Sequence, residues 1–159
     1  MNPQNGYDIE DIAVGMGAEI AKTITEADIL LFSAVSTDTN AVHLDEEYGK
    51  TTMFGGRIAH GMLSASLLSA VLGTRLPGPG VIYVGQSLRF KAPVRAGDTA
   101  VCRATVTDLL PEKKRATLST VVTVGNKVVL EGEAVLMVPQ RPAAPAASEP
   151  ARAAATASD

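Results

Sequence analysis

The chain contains no tryptophan, three phenylalanines, three tyrosines, one cysteine and two histidines in 159 residues. Each scarcity excludes something. Few aromatics, no basic stripe and a net charge of −3 argue against nucleic acid as a partner. A single cysteine, Cys102, cannot close an internal disulfide, which fits a reducing compartment. Two histidines and one cysteine, with no recognisable ligand spacing, make a poor metal site, and none is expected. No apolar run approaches the ~20 residues that a membrane helix needs. The N-terminus lacks a basic start followed by an apolar stretch, so no signal peptide is expected and a cytoplasmic location is read.

What is present suffices for one domain. From Gln140 onward the chain is Ala, Pro, Ser and a few charges, too poor in large apolar residues to offset the entropy of ordering. A folded domain is therefore expected over 1–138 and a disordered Ala/Pro-rich tail over 139–159. Ala18–Thr23 alternates weakly and reads as a first strand. Thr25 then caps a helix that carries Ile29, Leu30, Phe32, Ala34 and Val35 and runs to about Ser36. Asp45–Gly49 reads as a short helical turn and Thr51–Arg57 as a bend.

From Gly61 to about Leu72 nearly every residue is apolar or small, the mark of a buried helix, which Gly73 and Pro77-Gly78-Pro79-Gly80 should end. The period then changes to two. Strands are expected over Val81–Phe90, Thr99–Leu110, Arg115–Val124 and Lys127–Val138, with Gly125-Asn126 as a hairpin turn. Ile82, Val84, Leu88 and Phe90 should share one face of the first. Val128, Leu130, Ala134, Leu136 and Val138 should share one face of the last. The fold class is α+β: four strands in meander order, forming one antiparallel sheet around the long helix. Such a sheet has open edges, and edge-to-edge dimerisation would cover them.

Both histidines fall in two short segments, Asp38-Thr39-Asn40-Ala41-Val42-His43 and His60-Gly61. Asp38 and His43, five residues apart, can converge on one water and move its proton at neutral pH. Asn40 could fix the ring tautomer or hold that water. The same Asp-x-Asn pattern also makes an ordinary turn. Gly61 opens the buried helix, where free N–H groups favour negative charge. Lacking a side chain, it can serve as an oxyanion donor worth about 3–4 kcal/mol, or it can merely relieve helix–sheet crowding. His60 reads as support that shapes the turn. Ser69, a little over two turns beyond Gly61, could face inward, as could Ser64 and Ser66, and spacing alone does not choose among them.

These motifs together resemble the MaoC-like, (R)-specific enoyl-CoA hydratases, the hydratase-2 family. Asp38, Asn40 and His43 match that family's Gly-Asp-x-Asn-Pro-hydrophobic-His pattern at the right spacing, with Thr37 in place of Gly and Ala41 in place of Pro. Ile58-Ala59-His60-Gly61-Met62 matches a second signature. The segment from Tyr83 to Val94, followed by Gly97-Asp98, resembles the next strand and turn. The likeness covers roughly residues 9–138.

The resemblance implies a hot-dog fold, an antiparallel β-sheet wrapped around a long central helix, and usually a homodimer. It implies reversible syn addition of water to a trans-2-enoyl-CoA, giving the (R)-3-hydroxyacyl-CoA, so the chain should be a hydro-lyase acting on an acyl-CoA thioester. It implies Asp38 and His43 as the catalytic pair, Gly61 as the thioester oxyanion donor and Ser69 as a further site residue in polyhydroxyalkanoate-linked members. No cofactor is implied, since coenzyme A is part of the substrate. Two alternatives belong to other classes. A hot-dog thioesterase would release free thiol, and a non-catalytic acyl-CoA-binding module would turn over nothing.

Overall fold

The structure is a computed structural model and describes residues 6–142. Five strands, β1 (Gly17–Thr23), β2 (Ile82–Phe90), β3 (Thr99–Leu110), β4 (Arg115–Val124) and β5 (Lys127–Met137), form one sheet in the order β1-β3-β4-β5-β2. Every neighbouring pair is antiparallel. The helices are α1 (Glu26–Ser36), α2 (Ala41–Leu44), α3 (Glu46–Thr51) and α4 (Gly61–Thr74). The concave face of the sheet closes on α4, whose Leu63, Leu67, Leu68, Val71 and Leu72 are buried against Cys102, Ala104, Val106, Leu118 and Leu136. The α+β arrangement of a sheet around a central helix is the one expected.

Local chemistry explains the elements that carry the site. Thr25 caps α1 with a reciprocal box: the Asp28 N–H donates to Thr25 Oγ1, and the Thr25 N–H donates to Asp28 Oδ2 at 2.8 Å. The bonds from the Thr25 hydroxyl and N–H, with Lys22 adding its ammonium, hold the Asp28 carboxyl down at about 2. The Cys102 thiol is sealed in the core, and that burial pushes it up to about 12.

Three expectations need correction. First, the four later strands are not in simple meander order. Only β3, β4 and β5 are consecutive neighbours; β2 crosses to pair with β5 at the far edge. The chain between β2 and β3 makes this crossing over the start of α4, where the Ala59 N–H donates to the Val94 carbonyl. Second, bulges break two alternation patterns. The β2–β5 register slips between Tyr83 and Gly85, which turns Tyr83 rather than Ile82 or Val84 to the face of Gln86 and Leu88. A slip opposite Val122 and Thr123 leaves Val129 buried at 2% exposure and Val128 at 37%. Third, Gly73 lies within α4, which ends one residue later.

The Ala/Pro-rich tail expected from 139 lies mostly outside the described residues. Its first residues are held: the Pro139 carbonyl accepts from the Ile9 N–H, and the Arg141 guanidinium reaches Asp11 at 2.5 Å.

β2 can lie against β5 only because residue 132 is glycine. A Cβ there would sit 1.8 Å from the Ser87 carbonyl oxygen of the neighbouring strand. Gly132→Ala must therefore push the strands apart, and we expect a loss of about 3 kcal/mol in urea unfolding. An unchanged midpoint would show that the two strands are not pressed together at this point.

Candidate active site

Asp38 and His43 sit on a short path between α1 and α3. Thr37 takes a left-handed conformation (φ 61°) that ends α1 and turns the chain. The Asp38 side chain, 53% exposed, accepts from the Asn40 N–H. Residues 41–44 form a single helical turn, because Asn40 Oδ1 caps it by accepting from the Val42 N–H at 3.2 Å. Asn40 therefore does not set the histidine tautomer. That task falls to a backbone group.

His43 Nδ1 lies 2.8 Å from the Ile58 carbonyl oxygen. A carbonyl only accepts, so Nδ1 carries the proton and Nε2 holds the free lone pair. Nε2 faces Asp38 Oδ2 at 4.0 Å. The gap is too long for a direct bond and suits one bridging water. A water roughly 2.8 Å from each atom would see them at an angle of about 90°, near its own H–O–H angle. Both acceptors would then hold its protons and leave its lone pairs pointing away.

His60 is the buried foundation of this pair. It is 1% exposed. Its Nε2 lies 3.0 Å from the Asp38 carbonyl oxygen and 3.2 Å from Ser33 Oγ, so Nε2 is the protonated nitrogen of this ring. The ring lies against His43 with centroids 3.8 Å apart, and against Phe32 at 5.0 Å. Asp38, His43 and His60 bring one donor atom each within 4.8 Å of one another, close enough to invite a metal ion. His60 Nε2 is an N–H engaged with the Asp38 carbonyl, so on this ring only the buried Nδ1, which has no hydrogen-bond partner, keeps a lone pair.

Gly61 is the first residue of α4 and follows His60 directly, so the free N–H end of a 14-residue helix starts beside the pair. A Cβ on Gly61 would meet the Phe90 ring at 2.8 Å. Phe90 thus lies over the bare helix start. A cavity of about 330 Å³ opens here, walled mainly by carbon from Phe54, Ile58, Phe90, Pro93 and Leu130, with Gly61 and Ser64 also in its lining and Lys91 as its charged member. One end offers backbone donors, and the rest accepts an apolar chain.

Ser69 is placed differently. It stands about 12 Å along the helix axis from Gly61 at ~1.5 Å per residue. There it lines a second, open groove of about 320 Å³ with Phe32, Met62, Ser66, Tyr83 and Leu88. Phe32, in contact with His60, is what joins this groove to the pair.

Sequence reasoning missed Ile58, Ser33 and Phe90. Ile58 and Ser33 act through a carbonyl and a single hydroxyl, which no motif distinguishes. Phe90 was assigned to a strand face, and only the fold lays it on Gly61.

A family model, the MaoC like domain, matches residues 10–132. The (R)-specific enoyl-CoA hydratase of Rhodospirillum rubrum is 63% identical over 132 residues, covering 83% of this chain and 92% of that protein. The 3-hydroxybutyryl-CoA dehydratase of Methylorubrum extorquens is 47% identical, covering 83% and 84%. Among solved structures, the (R)-hydratase from Aeromonas caviae involved in PHA biosynthesis superimposes with a TM-score of 0.79 at 44% identity, covering 82% of this chain and 99% of that one.

The bonding pattern fixes opposite tautomers for the two rings. Nitrogen-15 NMR of the histidine side chains should show His43 as Nδ1–H and His60 as Nε2–H in their neutral forms. Two identical tautomers would remove the lone pair assigned to His43 Nε2.

Proposed function

The chain belongs to the MaoC-like family, and on that premise we propose that Asp38, His43 and the Gly61 N–H form its catalytic centre. The chain is an (R)-specific enoyl-CoA hydratase, a hydro-lyase that reversibly adds water to a trans-2-enoyl-CoA. The observation that carries the site assignment is the 4.0 Å gap between Asp38 Oδ2 and a His43 Nε2 lone pair, set beside the start of α4.

The thioester carbonyl accepts a hydrogen bond from the Gly61 N–H at the positive end of α4. The acyl carbons enter the adjoining apolar cavity. The bridging water sits against C3, held by Asp38 and His43. As its oxygen bonds to C3, His43 Nε2 takes one of its protons and the double-bond electrons move onto the thioester oxygen as an enolate. Asp38 stabilises the imidazolium across the gap. The enolate collapses, C2 takes the proton from His43, and the neutral ring is restored. Water's oxygen and proton arrive from the same side because the two groups that hold the water lie on one side, which gives syn addition. The cycle uses only protons and the substrate's own carbonyl, so it needs no cofactor beyond the coenzyme A of the substrate. A reducing cytoplasmic setting agrees with the single buried thiol of Cys102.

A homodimer completes the reading. The two sheet edges differ: β1 presents Glu19 and Lys22, whereas β2 presents Ile82, Val84 and Phe90, each about half exposed. An apolar, unpaired edge is the one suited to pairing with a copy of itself. The open groove that holds Ser69 lies under this same edge, between β2 and α4.

Loss of crotonyl-CoA absorbance in the ultraviolet measures the reaction directly. Asp38→Asn and His43→Ala should each lower kcat by about a thousandfold or more, the first with an unaltered unfolding midpoint and the second with a lowered one, since it removes a buried ring, while both keep the folded circular dichroism spectrum at assay temperature. Near-normal turnover in either variant would overturn its role, and release of free thiol in place of alkene loss would point to thioester hydrolysis instead. For the dimer, Val84→Lys places a charge on the β2 edge and should halve the mass seen by light scattering. A monomeric parent chain would remove the edge-pairing argument.

A further inference from the structure

The Ile58 carbonyl that accepts the His43 Nδ1 proton lies in Arg57-Ile58-Ala59, a stretch outside any helix or strand. Whatever fixes that stretch also aims the ring. Resting on the hydratase reading above, we propose that Arg95 is a positioning residue for the reaction. Its guanidinium clamps the Arg57 end of the stretch, so that the Ile58 carbonyl stays in line with His43 Nδ1 and Nε2 stays turned to the water.

The stretch lies between two supports and is bonded twice to each. One support is the α2 turn. The Ile58 N–H donates to the Val42 carbonyl at 3.2 Å, and the Ile58 carbonyl accepts from His43 Nδ1 at 2.8 Å. The other support is the connection between β2 and β3. The Ala59 N–H donates to the Val94 carbonyl at 2.7 Å, and Arg95 Nη1 donates to the Arg57 carbonyl at 2.9 Å. The Arg57 carbonyl and the Ile58 N–H belong to one peptide; the Ile58 carbonyl and the Ala59 N–H belong to the next. Two rigid planes therefore run from Arg95 and Val94 to Val42 and His43. Of the two ties on the β2–β3 side, one is a backbone bond and the other is a single side chain.

The surroundings of Arg95 suit that task. Its Nη2 donates to the Phe54 carbonyl, so the planar fork spans both ends of the Gly55-Gly56 turn. Its own N–H donates to Asp98 Oδ2 at 2.8 Å, which ties it to the turn before β3. The guanidinium passes so close to Gly56 that a Cβ there would stand 3.1 Å from Nη1. The neighbouring cation, Arg57, is paired with Glu26 and Glu46 instead. Among the described residues, the lining of the Gly61 cavity does not include Arg95. Arg95 therefore acts through the backbone that carries His43, without touching substrate.

The aim of the ring matters because proton transfer needs close, aligned partners. A misplacement of about 1 Å can cost about a hundredfold in rate. Arg95 supplies one of two ties, so its loss should cost less than that.

The test uses Arg95→Ala and Arg95→Lys in the full chain. In Arg95→Ala, kcat for crotonyl-CoA should fall about tenfold while KM stays within about twofold. Added guanidinium at tens of millimolar should restore part of the lost rate and leave the parent chain unaffected. Lysine keeps the charge but not the fork, so Arg95→Lys should lie between Arg95→Ala and the parent. Nitrogen-15 NMR separates aim from stability. In Arg95→Ala, His43 should pass from Nδ1–H to a mixture of tautomers, while His60, held by the Asp38 carbonyl and Ser33, keeps Nε2–H. Unchanged His43 signals overturn the proposal. An equal change at both rings also overturns it, since that marks a general loosening of the fold. A shifted His43 tautomer with undiminished kcat would keep Arg95 as the group that aims the ring and sink the catalytic role given to His43.

Discussion

One buried imidazole holds the proposed catalytic corner together. His60 shares its Nε2 proton between the Asp38 carbonyl and the Ser33 hydroxyl, and its ring supports His43 on one side and meets Phe32 on another. Two regions distant in sequence, α1 with the Asp38 turn that follows it and the start of α4, are therefore fixed by one side chain. The residue next to it is Gly61. The same peptide run that braces the proposed acid–base pair also presents the proposed backbone donor, so the spacing between the two is set over two consecutive residues. That economy is possible because the donor is a main-chain N–H, which needs no side chain of its own and no room beyond a glycine.

The parts of the site that were legible in the sequence are those where residue type is the chemistry. Asp38 and His43 stand out because the chain has so few imidazoles and because only a carboxylate or an imidazole can move a proton there. Gly61 stands out because it interrupts nothing and precedes an apolar helix. Asn40 was visible, but not its capping role: an Asn beside a histidine serves as readily as a helix cap, and that depends on whether the next residues coil, which they do. Ile58 was not legible at all. It works through a carbonyl oxygen, and every residue has one. Ser69 was picked by family pattern, and the fold places it on a separate groove bordered by the β2 edge.

The sheet divides in the same manner. Alternation identified each strand and most of the core, and Cys102, Ala104 and Val106, two apart on β3, are buried together. It failed where a strand gains a residue. The slips at Val84 and Val129 invert the faces that follow, and a period-two pattern carries no sign of them until the partner strand is known. Strand order failed for a related reason. The connection after β2 is only eight residues and looks like a hairpin link, yet it spans the start of α4 and carries the chain to the opposite side of the sheet. That crossing matters for the site, since it brings Phe90, Lys91 and Pro93 over the helix start and so builds the cavity.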